Sequence, residues 1–198
     1  MAGIVAKPTK ADLVAVCTMV MQAIKAGKSS VTINGVTFKG FKSTGWCSRN
    51  VRWAVGATVY GAEWGWPYAS CCARRTAERL RAAGLRVSRD PKPGDIVACG
   101  GGGKCGTCGG AVGHIGVYMG NNMLWQNTSY NGLGTCIIPI RQSQWDNLLG
   151  VYEILPDAAA KAVRVIEHAT GKVIGEVVDG GLHVDDQRKV YVRLTAAG

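Results

Sequence analysis

Gly113-His114-Ile115-Gly116-Val117-Tyr118-Met119-Gly120-Asn121-Asn122-Met123-Leu124-Trp125-Gln126-Asn127-Thr128 reads as two strands around a tight turn. Apolar, β-branched and aromatic residues occupy both arms, and Gly-Asn-Asn tolerates the left-handed backbone that a hairpin turn demands. With Gly120-Asn121-Asn122 as a three-residue loop, Met119 faces Met123, and His114 and Gln126 fall on the same sheet face. A two-residue loop at Asn121-Asn122 shifts the register by one and brings Asn127 to that face instead. The turn therefore decides which amide meets the histidine.

Around this hairpin the chain places further strands at Ile96 to Cys99, Cys136 to Ile140 and Gly150 to Leu155, with Pro139 confining the second of these to a sheet edge. Helices come first. Thr9 and Asp12 make a capping-box start for a helix whose stripe is Leu13, Val16, Cys17, Val20 and Ile24. Asn34-Gly35 turns a short hairpin between Val31 and Phe38. A second helix opens at Cys47, with Val51, Ala54, Val55 and Val59 at helical spacing. A third runs from a Ser70 cap through Arg81 and stops at Gly84. Helices followed by an antiparallel sheet predict an α+β fold.

The expected organisation is a main domain over 1–155, a linker over 156–161 and a small β appendage over 162–198. The appendage reads as strands at Val163 to Glu167, Val173 to Val178, Leu182 to Val184 and Lys189 to Leu194. Fewer than about 40 residues rarely hold a core alone, which predicts that this tail packs on the main domain, another copy or a ligand.

Of the 198 residues 47% are hydrophobic and 18% charged, enough for one sizeable core. The formal charge of +10 attracts polyanions, but the basic residues are scattered and lack the aromatic interleaving of a nucleic-acid binder. No run reaches the roughly 18 apolar residues of a membrane span. Leu13 to Ile24 reads as a packed helix rather than a secretory signal, because no small-residue cleavage site follows. The expectation is a protein made in the cytoplasm without a clear export signal; secretion is the alternative.

Cys47 carries the most chemistry. A thiol at a helix N-terminus faces the positive end of the macrodipole and unpaired N–H groups, which predicts a thiol biased toward thiolate. His114 is the one histidine before the linker, since His168 and His183 lie beyond it. A nucleophile, a base and an amide to orient that base are thus available as Cys47, His114 and Gln126, with Asn127 as the rival amide. Trp46 and Trp125 flank these residues and are candidates to line a cleft.

These motifs resemble the NlpC-type cysteine peptidases of bacterial cell-wall metabolism and the related CHAP branch. The likeness lies in Cys47-Ser48 opening a helix, Lys92-Pro93-Gly94-Asp95-Ile96-Val97 entering the sheet, His114-Ile115-Gly116-Val117-Tyr118, and a polar residue twelve positions after the histidine. It covers roughly residues 45 to 155. The resemblance implies a papain-like core with N-terminal helices packed on the antiparallel sheet. It also implies Cys47 as nucleophile, His114 as base, Gln126 as third member and no cofactor for catalysis. The implied substrate is bacterial peptidoglycan, cut within the stem peptide by an endolysin-like enzyme. A CHAP-type N-acetylmuramoyl-L-alanine amidase, or a wall-binding, zinc-stabilised protein without catalysis, are the alternatives. Arg49-Asn50 departs from the glycine and aromatic residue common after Cys-Ser, which predicts a differently charged pocket beside the nucleophile.

The remaining cysteines are Cys17, Cys71, Cys72, Cys99, Cys105, Cys108 and Cys136. Cys105-Gly106-Thr107-Cys108 is a CxxC knuckle inside a loop so rich in glycine that an external constraint is needed to order it. Cys99, Cys105 and Cys108 form a candidate structural zinc site, with Cys136, Cys71 or Cys72 as fourth ligand. A disulfide framework and free thiols are the competing readings.

Overall fold

The computed structural model describes residues 7–87 and 90–157, together with the strand backbones 163–166, 173–178 and 181–184. It is α+β, and the chain divides into two units, Met1–Asp157 and Ala158–Gly198.

The first unit opens with α1 (Lys10–Lys25), where the side chains of Thr9 and Asp12 close a reciprocal capping box. Leu13, Val16, Cys17 and Val20 are buried along one stripe. β1 (Ser30–Ile33) and β2 (Val36–Lys39) form a separate two-stranded hairpin. Its turn residues Asn34 and Gly35 have φ of 45° and 79°, the primed geometry that matches strand twist.

α2 (Cys47–Val55) is the central helix and packs on the sheet. Val51, Ala54 and Val55 are fully buried, each valine contributing about 1.5–3 kcal/mol of transfer energy. α3 begins at Ala73 and runs to Ala82 with Cys72 as N-cap, two residues later than a Ser70 cap would place it. The Ser70 carbonyl instead accepts a bond from Ser48 Oγ at 3.3 Å.

The main sheet has six strands, each pair antiparallel. They are β3 (Arg86–Val87), β4 (Ile96–Cys99), β5 (His114–Gly120), β6 (Met123–Thr128), β7 (Gly134–Pro139) and β8 (Leu148–Tyr152). Their order is β3-β8-β4-β5-β6-β7, so Pro139 does lie on an edge strand. α4 (Gln142–Asp146) connects β7 to β8.

The β5–β6 turn differs from the three-residue expectation. Gly120 pairs with Met123, so the loop is Asn121-Asn122, with φ of 51° and 59°. A bulge between Tyr118 and Gly120 then absorbs one residue, and Val117 pairs with Trp125. The shorter loop and the bulge cancel. His114 and Gln126 share a face, as a three-residue loop without a bulge would also have placed them.

The second unit is a three-stranded antiparallel meander of β9 (Val163–Ile166), β10 (Val173–Val178) and β11 (Gly181–Val184), in the order β11-β10-β9. The strand expected at Lys189 to Leu194 falls outside the described residues, as do 158–161 of the expected linker.

Pro156 and Asp157 belong with the first unit rather than with a linker. The Pro156 carbonyl accepts from the Lys10 backbone N–H at 2.9 Å, and Asp157 takes part in an ion-pair cluster around Lys10. Lys10 Nζ is 3% exposed and lies 3.0 Å from Asp95, 2.7 Å from Glu153 and 3.0 Å from Asp157. Burial alone disfavours the ammonium, but the three carboxylates outweigh it and hold its pKa above the ordinary lysine range. This clasp ties the start of α1 to the entry of β4 and the exit of β8. Lys10→Met leaves the buried Asp95 unpaired and is expected to cost about 3–5 kcal/mol in urea unfolding. Lys92→Met, which removes an exposed 3.3 Å pair with Asp157, is expected to change stability by less than about 1 kcal/mol.

Candidate active site and cysteine cluster

Cys47 stands at the first position of α2, and that helix has no side-chain cap of its own. The preceding loop is held from the sheet instead. Asn127 Oδ1 accepts the Trp46 N–H at 2.7 Å, while Asn127 Nδ2 donates to the Ser43 carbonyl at 2.7 Å and to Thr135 Oγ1 at 3.2 Å. Asn127, the rival for the third position, is therefore a strut for the loop that leads into Cys47.

Cys47 meets β5 from the side of the helix. The backbone N–H of Ile115, the residue after His114, is directed at the Cys47 sulfur, as are those of Ser48 and Cys47 itself. Cys47 and His114 line one cleft of about 540 Å³. Ser48, Asn127, Arg141 and Gln144 share its walls, as do the residues of the glycine-rich loop.

His114 Nε2 hydrogen-bonds Gln126 Oε1 across β5 and β6. Continuing the Val117–Trp125 register places Gly116 opposite Gln126 and Thr128 opposite His114, so the contact runs diagonally over Gly116. A Cβ at Gly116 would lie 2.6 Å from both Leu124 Cγ and the Trp125 carbonyl. An amide oxygen can only accept, so this bond places the imidazole proton on Nε2 and leaves Nδ1 as the basic nitrogen.

Gln126 has a second partner that the sequence did not indicate. The buried Gln144 of α4 donates from Nε2 to Gln126 Oε1 at 3.4 Å, and its own Oε1 accepts the Arg141 N–H at 3.0 Å. Nothing in the local pattern of Gln142-Ser143-Gln144 distinguishes Gln144 from its neighbours; its position depends on where β7 returns.

Burial shifts both titratable groups. It pushes the Cys47 thiol above its ordinary range, against the pull of the three N–H groups. The expectation that the helix N-terminus would favour thiolate is thus corrected: the macrodipole is present, but desolvation exceeds it. Burial likewise lowers His114, opposed by the bond to Gln126 and assisted by the positive charge of Arg141. Both shifts favour the neutral forms of these two groups.

Two expectations about the surroundings change. Arg49 lies over the Trp46 ring, 3.9 Å from its centroid, and Asn50 is buried with its Nδ2 donating to Thr135 Oγ1 at 2.7 Å. Neither lines the cleft, where Arg141 supplies the positive charge. Trp125 is fully buried and Trp46 packs edge-on to Trp53 at 6.2 Å, so these indoles support the site from the core rather than forming its walls.

Four cysteine sulfurs, those of Cys71, Cys72, Cys105 and Cys108, lie within 4.8 Å of one another, an arrangement that can hold a metal ion. The CxxC pair is in it. Cys99 is not: it ends β4, 1% exposed, and packs with Val97, Leu124, Ile140 and Val151. Burial pushes its thiol up to about 12. The zinc set expected from Cys99, Cys105 and Cys108 is corrected accordingly. Strand alternation and the β4–β5 pairing keep Cys99 beside His114, whereas the loop carries Cys105 and Cys108 to the start of α3. Cys136 lies on β7 opposite Gln126 and is also outside the cluster.

No protein-family model matches this chain, and no curated protein matches it.

The neutral pair has a measurable signature. The rate of Cys47 alkylation by iodoacetamide, followed on its peptide by mass spectrometry, is expected to rise with an inflection above pH 9.0, the ordinary thiol value. The His114 imidazole is expected to titrate below its ordinary 6.5. A preformed thiolate–imidazolium pair would reverse both directions. Asn127→Ala removes the strut and leaves the Trp46 N–H without its acceptor, which is expected to cost about 2–3 kcal/mol in denaturant unfolding.

Proposed function

We propose that this protein is a papain-like cysteine hydrolase that cleaves amide bonds in the stem peptides of peptidoglycan. The observation that carries the reading is that Cys47, at a helix start, and His114 line one cleft, while Gln126 holds Nε2 of the imidazole. The likeness of the Cys47-Ser48, Pro93-Gly94-Asp95 and His114-Ile115-Gly116 segments to NlpC and CHAP enzymes gives the substrate class. Arg141 in the cleft and the net charge of +10 suit a wall polymer whose stem peptides carry free carboxylates.

In this mechanism Cys47 Sγ bonds to the scissile carbonyl carbon as its proton passes to His114 Nδ1. The charge that develops on the carbonyl oxygen meets the N–H groups of Cys47 and Ser48, which have no acceptor within α2 and lie against the attacking sulfur. His114 returns the proton to the departing amine, leaving a thioester on Cys47. Water, deprotonated by the same nitrogen, then releases the carboxylic acid and restores the thiol. With the thiol pushed up and the imidazole pushed down, this mechanism has proton transfer accompany attack. Gln126 keeps the proton on Nε2 throughout, and Gln144 holds the Gln126 amide. In this reading the four-cysteine cluster is the place of a structural zinc ion apart from bond cleavage, and the enzyme acts at the wall after synthesis in the cytoplasm.

Digestion of a panel of purified peptidoglycans, with fragments identified by mass spectrometry, tests the proposal. New amino termini within stem peptides are expected. Release of whole peptides from the glycan would assign an amidase instead, and wall binding without any new amine would overturn the hydrolase reading. Cys47→Ala is expected to abolish cleavage with an unchanged circular dichroism spectrum, and His114→Ala to lose nearly as much, since members of one catalytic unit do not act additively. Gln126→Ala is expected to lower kcat by about 10- to 100-fold with little change in KM, because it positions the base.

A further inference from the structure

The loop from Gly100 to Gly113 forms one wall of the cleft, yet it has almost nothing to pack with. Seven of the eleven residues from Gly100 to Gly110 are glycine. A segment of that composition loses the most backbone entropy on ordering and buries the least apolar surface in return. Its backbone is nonetheless laid down in a defined path: Val112 N–H bonds the Gly103 carbonyl at 2.9 Å, Gly113 N–H the Gly101 carbonyl at 2.9 Å, and Cys105 N–H the Gly110 carbonyl at 2.7 Å. At its far end the loop abuts α3. Arg74 N–H donates to the Val112 carbonyl at 3.0 Å, and a Cβ at Gly113 would lie 3.1 Å from that same nitrogen.

The four sulfurs join the same two elements, Cys105 and Cys108 from the loop and Cys71 and Cys72 from the start of α3. Their spacing favours a metal over a disulfide. Zinc–thiolate bonds of about 2.3 Å in a tetrahedron put the sulfurs about 3.8 Å apart, whereas a disulfide brings two of them to about 2 Å. Cys72 Sγ and Cys108 Sγ are 3.7 Å apart, and all four lie within 4.8 Å. Ligation displaces four thiol protons and leaves a core of net charge −2, beside which Arg75 lies against Cys108. Cys71 and Cys72 also border the cleft, as do Gly100 to Gly103 and His114 at the loop's end.

We propose that Cys71, Cys72, Cys105 and Cys108 bind one zinc-class ion, and that this ion pins the glycine-rich loop to α3 as the substrate-facing wall of the cleft. Substrate capture then depends on the metal, while the bond-breaking groups, which belong to α2, β5 and β6, do not. The metal site stands by itself; its effect on capture rests on the hydrolase reading.

Metal analysis of the protein purified under reducing conditions is expected to give one zinc per chain, and Co²⁺ substituted for it the intense visible bands of a tetrahedral thiolate site. Cys72→Ser and Cys108→Ser are expected to lose the metal, and Cys99→Ser to keep it. Amide hydrogen exchange, run on wild type with and without chelator so that no variant needs to fold, is expected to quicken across 100–113 and not in α1. If walls are cut, chelation is expected to raise KM about tenfold or more with kcat within about twofold, the pattern of lost binding rather than lost chemistry. A metal-free folded protein, a mass two hydrogens light from a Cys72–Cys108 disulfide, or zinc retained by Cys108→Ser would each overturn the site. Zinc bound without any change in loop exchange would overturn its role as a wall. Metal content and exchange are read without any turnover, so failure of the hydrolase reading leaves a separate trace.

Discussion

The pairing of β5 with β6 is the constraint on which the rest of the site depends. Side chains alternate with a period of two, so a slip of one residue would turn Gln126 away from His114 and bring Asn127 toward it. The chain uses a two-residue Asn121-Asn122 turn, whose left-handed residues suit strand twist, and then spends one residue in a bulge at Met119. Once that register holds, Gln126 has one duty and Asn127 another. Gln126 fixes the imidazole, while Asn127 reaches the other way and braces the backbone from Ser43 to Trp46 that delivers Cys47. Two adjacent amides on one strand thus hold His114 from one face and the loop before Cys47 from the other.

Burial sets the electrostatics of this pair more strongly than the helix does. A thiol at an exposed helix N-terminus would shift toward thiolate, but Cys47 is half-buried against the core, and that burial works the other way. The same enclosure lowers His114. A neutral resting pair is consistent with a cleft whose formal positive charge comes from Arg141, since that charge opposes an imidazolium close by.

Stability and function draw on different parts of the fold. The Lys10 clasp and the α1 stripe secure the ends of the main unit, far along the chain from the reacting groups. The cleft wall, by contrast, is built from glycine and cysteine, residues that hold a loop by cross-linking rather than by packing.

Local pattern settled much of this protein. The capping box of α1, the Asn34-Gly35 turn, the helix opening at Cys47 and the edge position of Pro139 all follow from period, propensity and turn chemistry over a few residues, as does the α+β class, whereas the face shared by His114 and Gln126 was expected from a three-residue turn and is reached through a two-residue turn and a bulge. What local pattern did not carry was anything set by where distant segments meet. The bulge at Met119 depends on how β5 is held from its other side by β4; the duty of Asn127 depends on the loop before α2; Gln144 arrives with α4 after β7. The cysteine cluster shows the difference most plainly. The CxxC knuckle was legible because its spacing is local, but its partners were decided by the docking of a loop on α3, which drew in Cys71 and Cys72 and left Cys99 in the sheet. Burial belongs to the same class: the Cys47 thiol was expected to be acidic from its place on a helix, and it is tertiary packing that pushes it the other way.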